Sequence, residues 1–591
     1  MTDLNPELPR RKQRAAPISL LRIAQENQRR DRMKKPSLAD LKHKVSANTL
    51  ESADKDRKVH RDIRPEDKEA YDSQNEFLAG FPRNLHGFKW AFVVTSLMSL
   101  SFMLGLDTTI TAVVQASFTN SFQSVNLLGF SSAAFFLGAA TTVLTWSQVY
   151  GAFDVKWALV VSLVVFEVGS IISGAAPNIN ALIVGRAFSG VGGSGMAVGI
   201  WSMLSLTTTE EERAFYMRLP NLAWGIGIIV GPIVGGAFAE GSATWRWGYY
   251  IQLCIGAACA GSLVLLLPAK HLQPTAAFRD RITSIDLVGA LLLSLSLLCL
   301  VLAINFGGLS YSWDSGSVIA LFVLAGLFSI AFALQQVSCW MTQQTLLPIA
   351  VLKEAKMLPM FLLQACSATA FSVTCYFIPL CFQYVKDERP LTAGVHLLPL
   401  VIPTFAAAVI GIQLLQRDRL LEPSLLIGGS LVLAGSSLMY NIDAYTDNAK
   451  IYGYTILIGA GAGLSIDTPL LACRTVVSPF FLLSAIALMV FAQFVVPAIT
   501  LSIAFAAFLN AAQSEIQSML PKDRPYHATS MIGGDAKQYF GGLDVRTRHQ
   551  ITRAIADTLA EPYALVIASG SLALVAASFL LWTRLTSRTK T

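Results

Sequence analysis

The chain has 591 residues, of which 53% are hydrophobic and 14% charged, with a formal net charge of +7. A soluble protein carries about a quarter charged residues, and the shortfall here is uneven: residues 1–89 hold 34 of the 83 charges, leaving 49 for the other 502 residues. That distribution excludes a soluble enzyme, a coiled coil or a nucleic-acid binder for the bulk of the chain, and it implies a membrane protein with a charged tail.

Residues 1–87 open with MTDLNPELPRRKQR and lack the early apolar run of a secretory signal, so a cytosolic, disordered tail is expected. Its positive charge is concentrated in residues 1–44, with 12 basic against 5 acidic residues. Within it, Ile18 through Arg32 has the pattern of a short basic amphipathic helix suited to anionic lipid, the alternative to a solvated coil.

Beyond the tail, only helices satisfy their own backbone hydrogen bonds in hydrocarbon, and runs of about 17–25 apolar residues mark them. Fourteen spans are predicted, at 90–115, 126–149, 157–176, 180–205, 217–240, 248–268, 286–305, 317–336, 358–384, 393–415, 424–441, 451–473, 480–508 and 562–583. A cytosolic N-terminus then puts the C-terminus in the cytosol too. Short segments assigned inside carry 14 Lys/Arg and short outside loops carry 4, as the positive-inside rule requires. The long, mixed-charge segment 509–561 is expected outside. Seven of the eight cysteines lie in apolar runs and Cys339 at the end of one, with no metal-binding spacing. No metal site and no cofactor are expected, and the absence of a Walker A lysine motif excludes ATP hydrolysis as the energy source.

In the first span, LGLDTTI places Asp107 about seventeen residues in, where a carboxylate is costly unless it faces a cavity or a partner. At 1.5 Å per residue, Asp107 and Arg186 of ALIVGRAFSGVGG come out roughly 25 and 21 Å from the inner face, close enough in depth to pair. Glu167 of VVFEVGS lies at roughly 16 Å, either extending that network or hydrogen-bonded in a structural role. Gly190, Gly192 and Gly195 spell a dinucleotide fingerprint, but they lie inside an apolar span with no preceding strand, so close helix packing is the expected use. The fifth span holds GIGIIVGPIVGG, in which Gly227, Gly231, Pro232, Gly235 and Gly236 combine tight packing with a bend. Cavity walls are expected from aromatic residues such as Phe135, Phe136, Trp224, Tyr376 and Phe382.

The strings LDTTI at 106–110, the Arg186 segment, GIIVGPIVGG at 227–236 and TWRWGYYI at 244–251 resemble the major facilitator superfamily, specifically its fourteen-spanner drug:proton antiporter branch of fungi. DLVGALL, GGLSYSWDSG and FIPLCFQYVK with AGVHLLPL extend the resemblance over about 88–508. It implies an all-α membrane protein with the major facilitator fold: a six-helix bundle at 88–268, two inserted spans within 269–357, and a second six-helix bundle at 358–591. It further implies proton-coupled export of a small, largely apolar compound such as a drug, toxin or secondary metabolite. The working unit would be a monomer whose partners are its substrate, protons and the lipid bilayer, with no nucleic acid. By the same resemblance Asp107, Arg186 and Glu167 would couple protons, the Gly227–Gly236 glycines with Pro232 would form the antiporter motif, and the plasma membrane is the expected location, with the vacuolar membrane as alternative. Import of ferric siderophores, vacuolar amino-acid carriage and a non-transporting membrane sensor are the competing functions. Three places depart from the family pattern, one being Gln252 and Cys254 where an asparagine and a proline commonly follow the WRW string. The loop SQVYGAFDVK has Ser147 and Gly151 where a glycine and an aspartate are usual, leaving Lys156 as its basic residue and the usual gate latch in doubt. Asp467 stands where the branch commonly has glutamine, so it is either a substrate contact or a gate charge paired with Arg474.

Overall fold

In the computed structural model the described residues are 87–588 except 210–211, 213–214, 268, 270–277, 343, 416–419, 474–475, 478–480, 520–531 and 533–544. The expected N-terminal tail with its 18–32 helix, and Arg474, lie outside them. Among the described residues fourteen helices are long and apolar enough to cross a bilayer. They are α1 Phe88–Phe122, α2 Leu128–Ala152, α3 Val155–Gly174, α4 Ile179–Thr207, α5 Leu219–Glu240, α6 Trp247–Leu266, α7 Leu287–Phe306, α8 Gly316–Ser338, α9 Met357–Leu380, α10 Leu398–Leu415, α11 Leu421–Met439, α12 Asn448–Ile466, α13 Leu482–Met519 and α14 Tyr563–Arg588.

The polar residues that interrupt the apolar runs sit where helices begin. Asp154 and Asn178 accept hydrogen bonds from the backbone N–H of Trp157 and Ala181 at the starts of α3 and α4, and Asp286 and Ser315 do the same for Gly289 and Val318 at α7 and α8. Two helices run past their hydropathy limits because packing continues after the apolar run ends. The end of α1 is held by Trp245, whose ring meets Phe118 and Phe122 and whose Nε1 donates to Ser121 Oγ at 3.1 Å. The end of α13 packs against a helix at Val545–Ala560, so segment 509–561, expected as a loop, is helical over 509–519 and 545–560. That amphipathic helix buries Ile551, Ile555 and Leu559, one turn apart.

Helices α1–α6 pack mainly on one another, as do α9–α14, and the two groups meet chiefly through α2 against α13 and α5 against the segment 390–415. The inserted pair α7 and α8 packs together, and α7 lies on both α2 and α13. Buried Asp286 secures the pair: it accepts from Gln335 Nε2 at 2.9 Å, Gln336 Nε2 at 2.7 Å and the Leu346 N–H at 3.2 Å, besides its own helix cap. Below, the end of the bundle where α1 begins is the near end and the opposite one the far end.

Candidate functional site: a buried ion pair beside a central cavity

Asp107 on α1 and Arg186 on α4 meet face to face. Arg186 Nη1 and Nη2 donate to Asp107 Oδ1 and Oδ2 at 2.7 and 2.8 Å, and both side chains are sealed off at 1% and 0% exposure. An ion pair with no water around it survives only with good geometry and further hydrogen bonds. Gln252 of α6 supplies one, its Nε2 donating to Asp107 Oδ1 at 2.8 Å, and Ser170 of α3 fixes that amide by donating to Gln252 Oε1 at 3.2 Å. The guanidinium also lies over two rings, 4.8 Å from the Phe135 centroid and 5.6 Å from that of Tyr249. Five helices of the first bundle thus converge on one charge pair. Glu167 is not part of it: its carboxylate packs against Gly256, one turn along α6 from Gln252, and neither oxygen has a hydrogen-bond partner.

The pair borders a cavity between the bundles. About 850 Å³ of space, open solvent at its mouth included, is lined by Leu104, one turn before Asp107 on α1, by Thr108, next to Asp107, and by Phe135 itself. Trp201, Asn221, Trp224, Phe371, Asp467 and Phe494 complete much of the wall. Most of these residues lie in the near half: Trp201 toward the end of α4, Asn221 and Trp224 at the start of α5, Asp467 just past α12. Tyr376 and Phe382, expected in this wall, are not part of it. Tyr376 lies farther along α9, its carbonyl accepting from Gln115 Nε2 at 2.6 Å, and Phe382 stacks on His396 with centroids 4.0 Å apart. Both belong to the seal at the far end.

That seal is built from backbone proximity. A Cβ added to Gly236 would lie 2.6 Å from Leu391 Cα, and one added to Gly394 would lie 2.5 Å from the Pro232 carbonyl oxygen. Gln383 Nε2, just past α9, donates to the Val113 carbonyl at 3.2 Å, tying that segment to α1. The motif's remaining glycines face α1: a Cβ on Gly227 would strike the Phe102 carbonyl oxygen and one on Gly231 the Thr109 hydroxyl. Gly190, Gly192 and Gly195 likewise press against Phe135, Phe166 and Trp146, which is helix packing and not a phosphate cradle.

At the near end the unusual 147–156 segment, helical except at Phe153 and Asp154, contacts the second bundle and the inserted pair. Ser147 Oγ donates to the Leu483 carbonyl of α13 at 3.4 Å. Gln148 Nε2 donates to the Thr345 carbonyl at 3.2 Å and its Oε1 accepts from the Asp286 N–H at 2.9 Å, linking α2 to the inserted pair. Lys156 lies 5.4 Å from the Trp157 ring centroid. The pairing expected between Asp467 and Arg474 falls outside the described residues. Sequence reasoning had no signal for Gln115, Gln148 or Asn221; Gln252 was visible only as a departure from the family's asparagine.

Two six-helix bundles around a cavity, with an acid–base pair buried beside it, define a multi-pass membrane protein with a secondary-transporter fold. Residues 95–501 match the Major Facilitator Superfamily, and the chain belongs to that family. It is 34% identical over 506 residues to "Efflux pump DEP3" of Fusarium langsethiae, covering 85% of this chain and 92% of that one. It is 35% identical over 522 residues to "MFS-type transporter pgmG" of Aspergillus terreus, covering 88% and 93%. It is 33% identical over 509 residues to "Efflux pump alnA" of Emericella nidulans, covering 85% and 92%. Its fold is shared with a bacterial homologue of the human lysosomal transporter Spinster, at a TM-score of 0.53 and 12% identity over 85% of this chain and 98% of that one.

Proposed function

We propose that the protein is a proton-coupled exporter of small, largely apolar organic compounds. The observation that carries this is the shared residue Phe135, which lines the cavity on one side and carries the Arg186 guanidinium on its face on the other. A cargo that displaces Phe135 alters the grip of Arg186 on Asp107, and protonation of Asp107 releases Arg186 and frees the ring. Proton and cargo then compete through one side chain, which is the logic of exchange. Glu167, packed against Gly256 one turn along α6 from Gln252 and without a hydrogen-bond partner, is the second proton site on this route. The names of the relatives support outward transport, and the abundance of Lys/Arg in the short near-end segments supports a cytosolic near end, so that the cavity lies on the side from which cargo is collected. Both termini are cytosolic, the membrane is the plasma membrane, and the unit is a monomer.

One unit of pH gradient supplies about 1.4 kcal/mol and 100 mV about 2.3 kcal/mol, so one proton sustains roughly a 500-fold gradient of a neutral solute. The test is Asp107→Asn in proteoliposomes carrying an imposed pH gradient, with cargo first chosen by comparing extracellular metabolites of cells with and without the protein. Gradient-driven export is expected to fall at least about 100-fold while the variant stays in the membrane, the scale of a lost essential proton carrier. Export that is unchanged in that variant sinks the proposal.

A further inference from the structure

Most hydroxyls around the cavity are already committed. Ser101 Oγ donates to the Pro220 carbonyl at 2.7 Å, Thr108 Oγ1 to that of Leu104 at 2.9 Å, and Ser372 Oγ to that of Thr369 at 3.3 Å. Two buried polar side chains are not. Asp467, only 6% exposed, interrupts the helix between Ile466 and Thr468, yet its carboxylate caps neither piece and Oδ2 has no hydrogen-bond partner. Asn221, 9% exposed, offers an Nδ2 that is also without a partner. Both line the cavity, Asp467 from the second bundle and Asn221 from the first. No role for this pair follows from the proton route described above.

Asp467 Oδ2 and Asn221 Nδ2 have neither a hydrogen-bond partner nor contact with solvent. A purely apolar occupant leaves that carboxylate buried and unpaired, which is strongly unfavourable. An ammonium group would satisfy Asp467 but has no acceptor to offer Asn221 Nδ2, whereas a hydroxyl both donates and accepts. We propose that Asp467 and Asn221 form a hydroxyl-reading subsite, so that the preferred cargo is an uncharged, oxygenated and otherwise apolar compound. Because the two residues belong to opposite bundles, such a cargo bridges them. This rests on the export proposal only in taking the cavity as the cargo's site.

The test uses full-length protein in phospholipid nanodiscs and three probes of one shape: 1-naphthalenemethanol, 1-methylnaphthalene and 1-naphthylmethylammonium, with binding corrected for empty nanodiscs. Wild-type protein is expected to bind the alcohol at least about tenfold more tightly than the methyl compound, the scale of one well-placed hydrogen bond. Asp467→Leu should reduce that preference to within about twofold without weakening the methyl compound, and Asp467→Asn, which keeps a carbonyl acceptor, should retain part of it. Asn221→Leu gives an independent check and should cut the preference at least about threefold. The subsite is overturned if the alcohol does not bind, if its preference survives both leucine variants, or if the ammonium probe binds tightest. A protein that reads the hydroxyl but moves the alcohol indifferently to a proton gradient would overturn the coupling and leave this assignment standing.

Discussion

A buried charge pair is a liability when one partner is lost, so the residues around Asp107 differ sharply in what their removal should do. Arg186→Leu leaves a carboxylate at 0% exposure with only Gln252 to solvate it, and a loss of about 3–5 kcal/mol is expected. Neutralising both partners in Asp107→Asn/Arg186→Gln should recover most of that stability and none of the proton coupling. Thermal unfolding of purified protein separates the two outcomes; a double variant no more stable than Arg186→Leu would show that the pair matters for more than its charge balance. Depth arithmetic was enough to set Asp107 against Arg186, because a charge inside a span stands out against an apolar background. Gln252, Gln115 and Asn221 carry no such contrast, and which way an amide on a helix faces is decided by tertiary packing. The same holds for aromatic residues, which is why Phe135 and Trp224 reached the cavity while Tyr376 and Phe382 went to the seal.

Helices were the most legible feature, since fourteen apolar runs became fourteen candidate spans. Their ends were less so, because hydropathy stops counting at the first polar residues whereas a helix continues as long as something packs on it, as Trp245 does at the end of α1. The seam between α1 and α5 shows what glycine contributes at this scale. Gly227 and Gly231 press on α1 just as Gly105 of α1 presses on the Trp224 carbonyl, so the two backbones interlock from both sides. Gly227→Leu has no room to relax and should cost at least the 1–3 kcal/mol typical of overpacking, read as a lower melting temperature and reduced folded yield. Gly326 and Gly453 also lie in helices but have nothing within 4 Å of an added Cβ, so alanine there should be neutral to within about 0.5 kcal/mol. Equal tolerance at Gly227 and Gly453 would mean that the α1–α5 contact is not tight in the membrane.

Across the molecule, the closed far end and the near-half cavity describe one side of an alternating cycle, and the seal shows how finely that state is balanced. The Arg389–Glu240 ion pair joins the bundles at 3.1 Å, but Arg389 is 80% exposed, so it adds little. Backbone contact carries the closure instead: Gly236 against Leu391 and Gly394 against Pro232, with Val113 beneath them at 3.4 Å from a Cβ on Gly394. A larger residue at Gly236 penalises only the state in which these segments touch, since they separate when the far end opens. An overpacking penalty of about 1–3 kcal/mol, applied to that state alone, multiplies the far-open population roughly 5- to 150-fold. Two introduced thiols report it. Val113→Cys, fully buried under the seal, should become reactive to a membrane-impermeant maleimide applied from the far side once Gly236→Leu is added. Ser372→Cys, in the cavity wall, should lose reactivity from the near side in the same background. The reciprocal change is the decisive feature, because a local loosening of the seal raises the first signal without lowering the second. Reactivity that rises at both positions would mean that the two ends open independently, and the bundles would not rock as units.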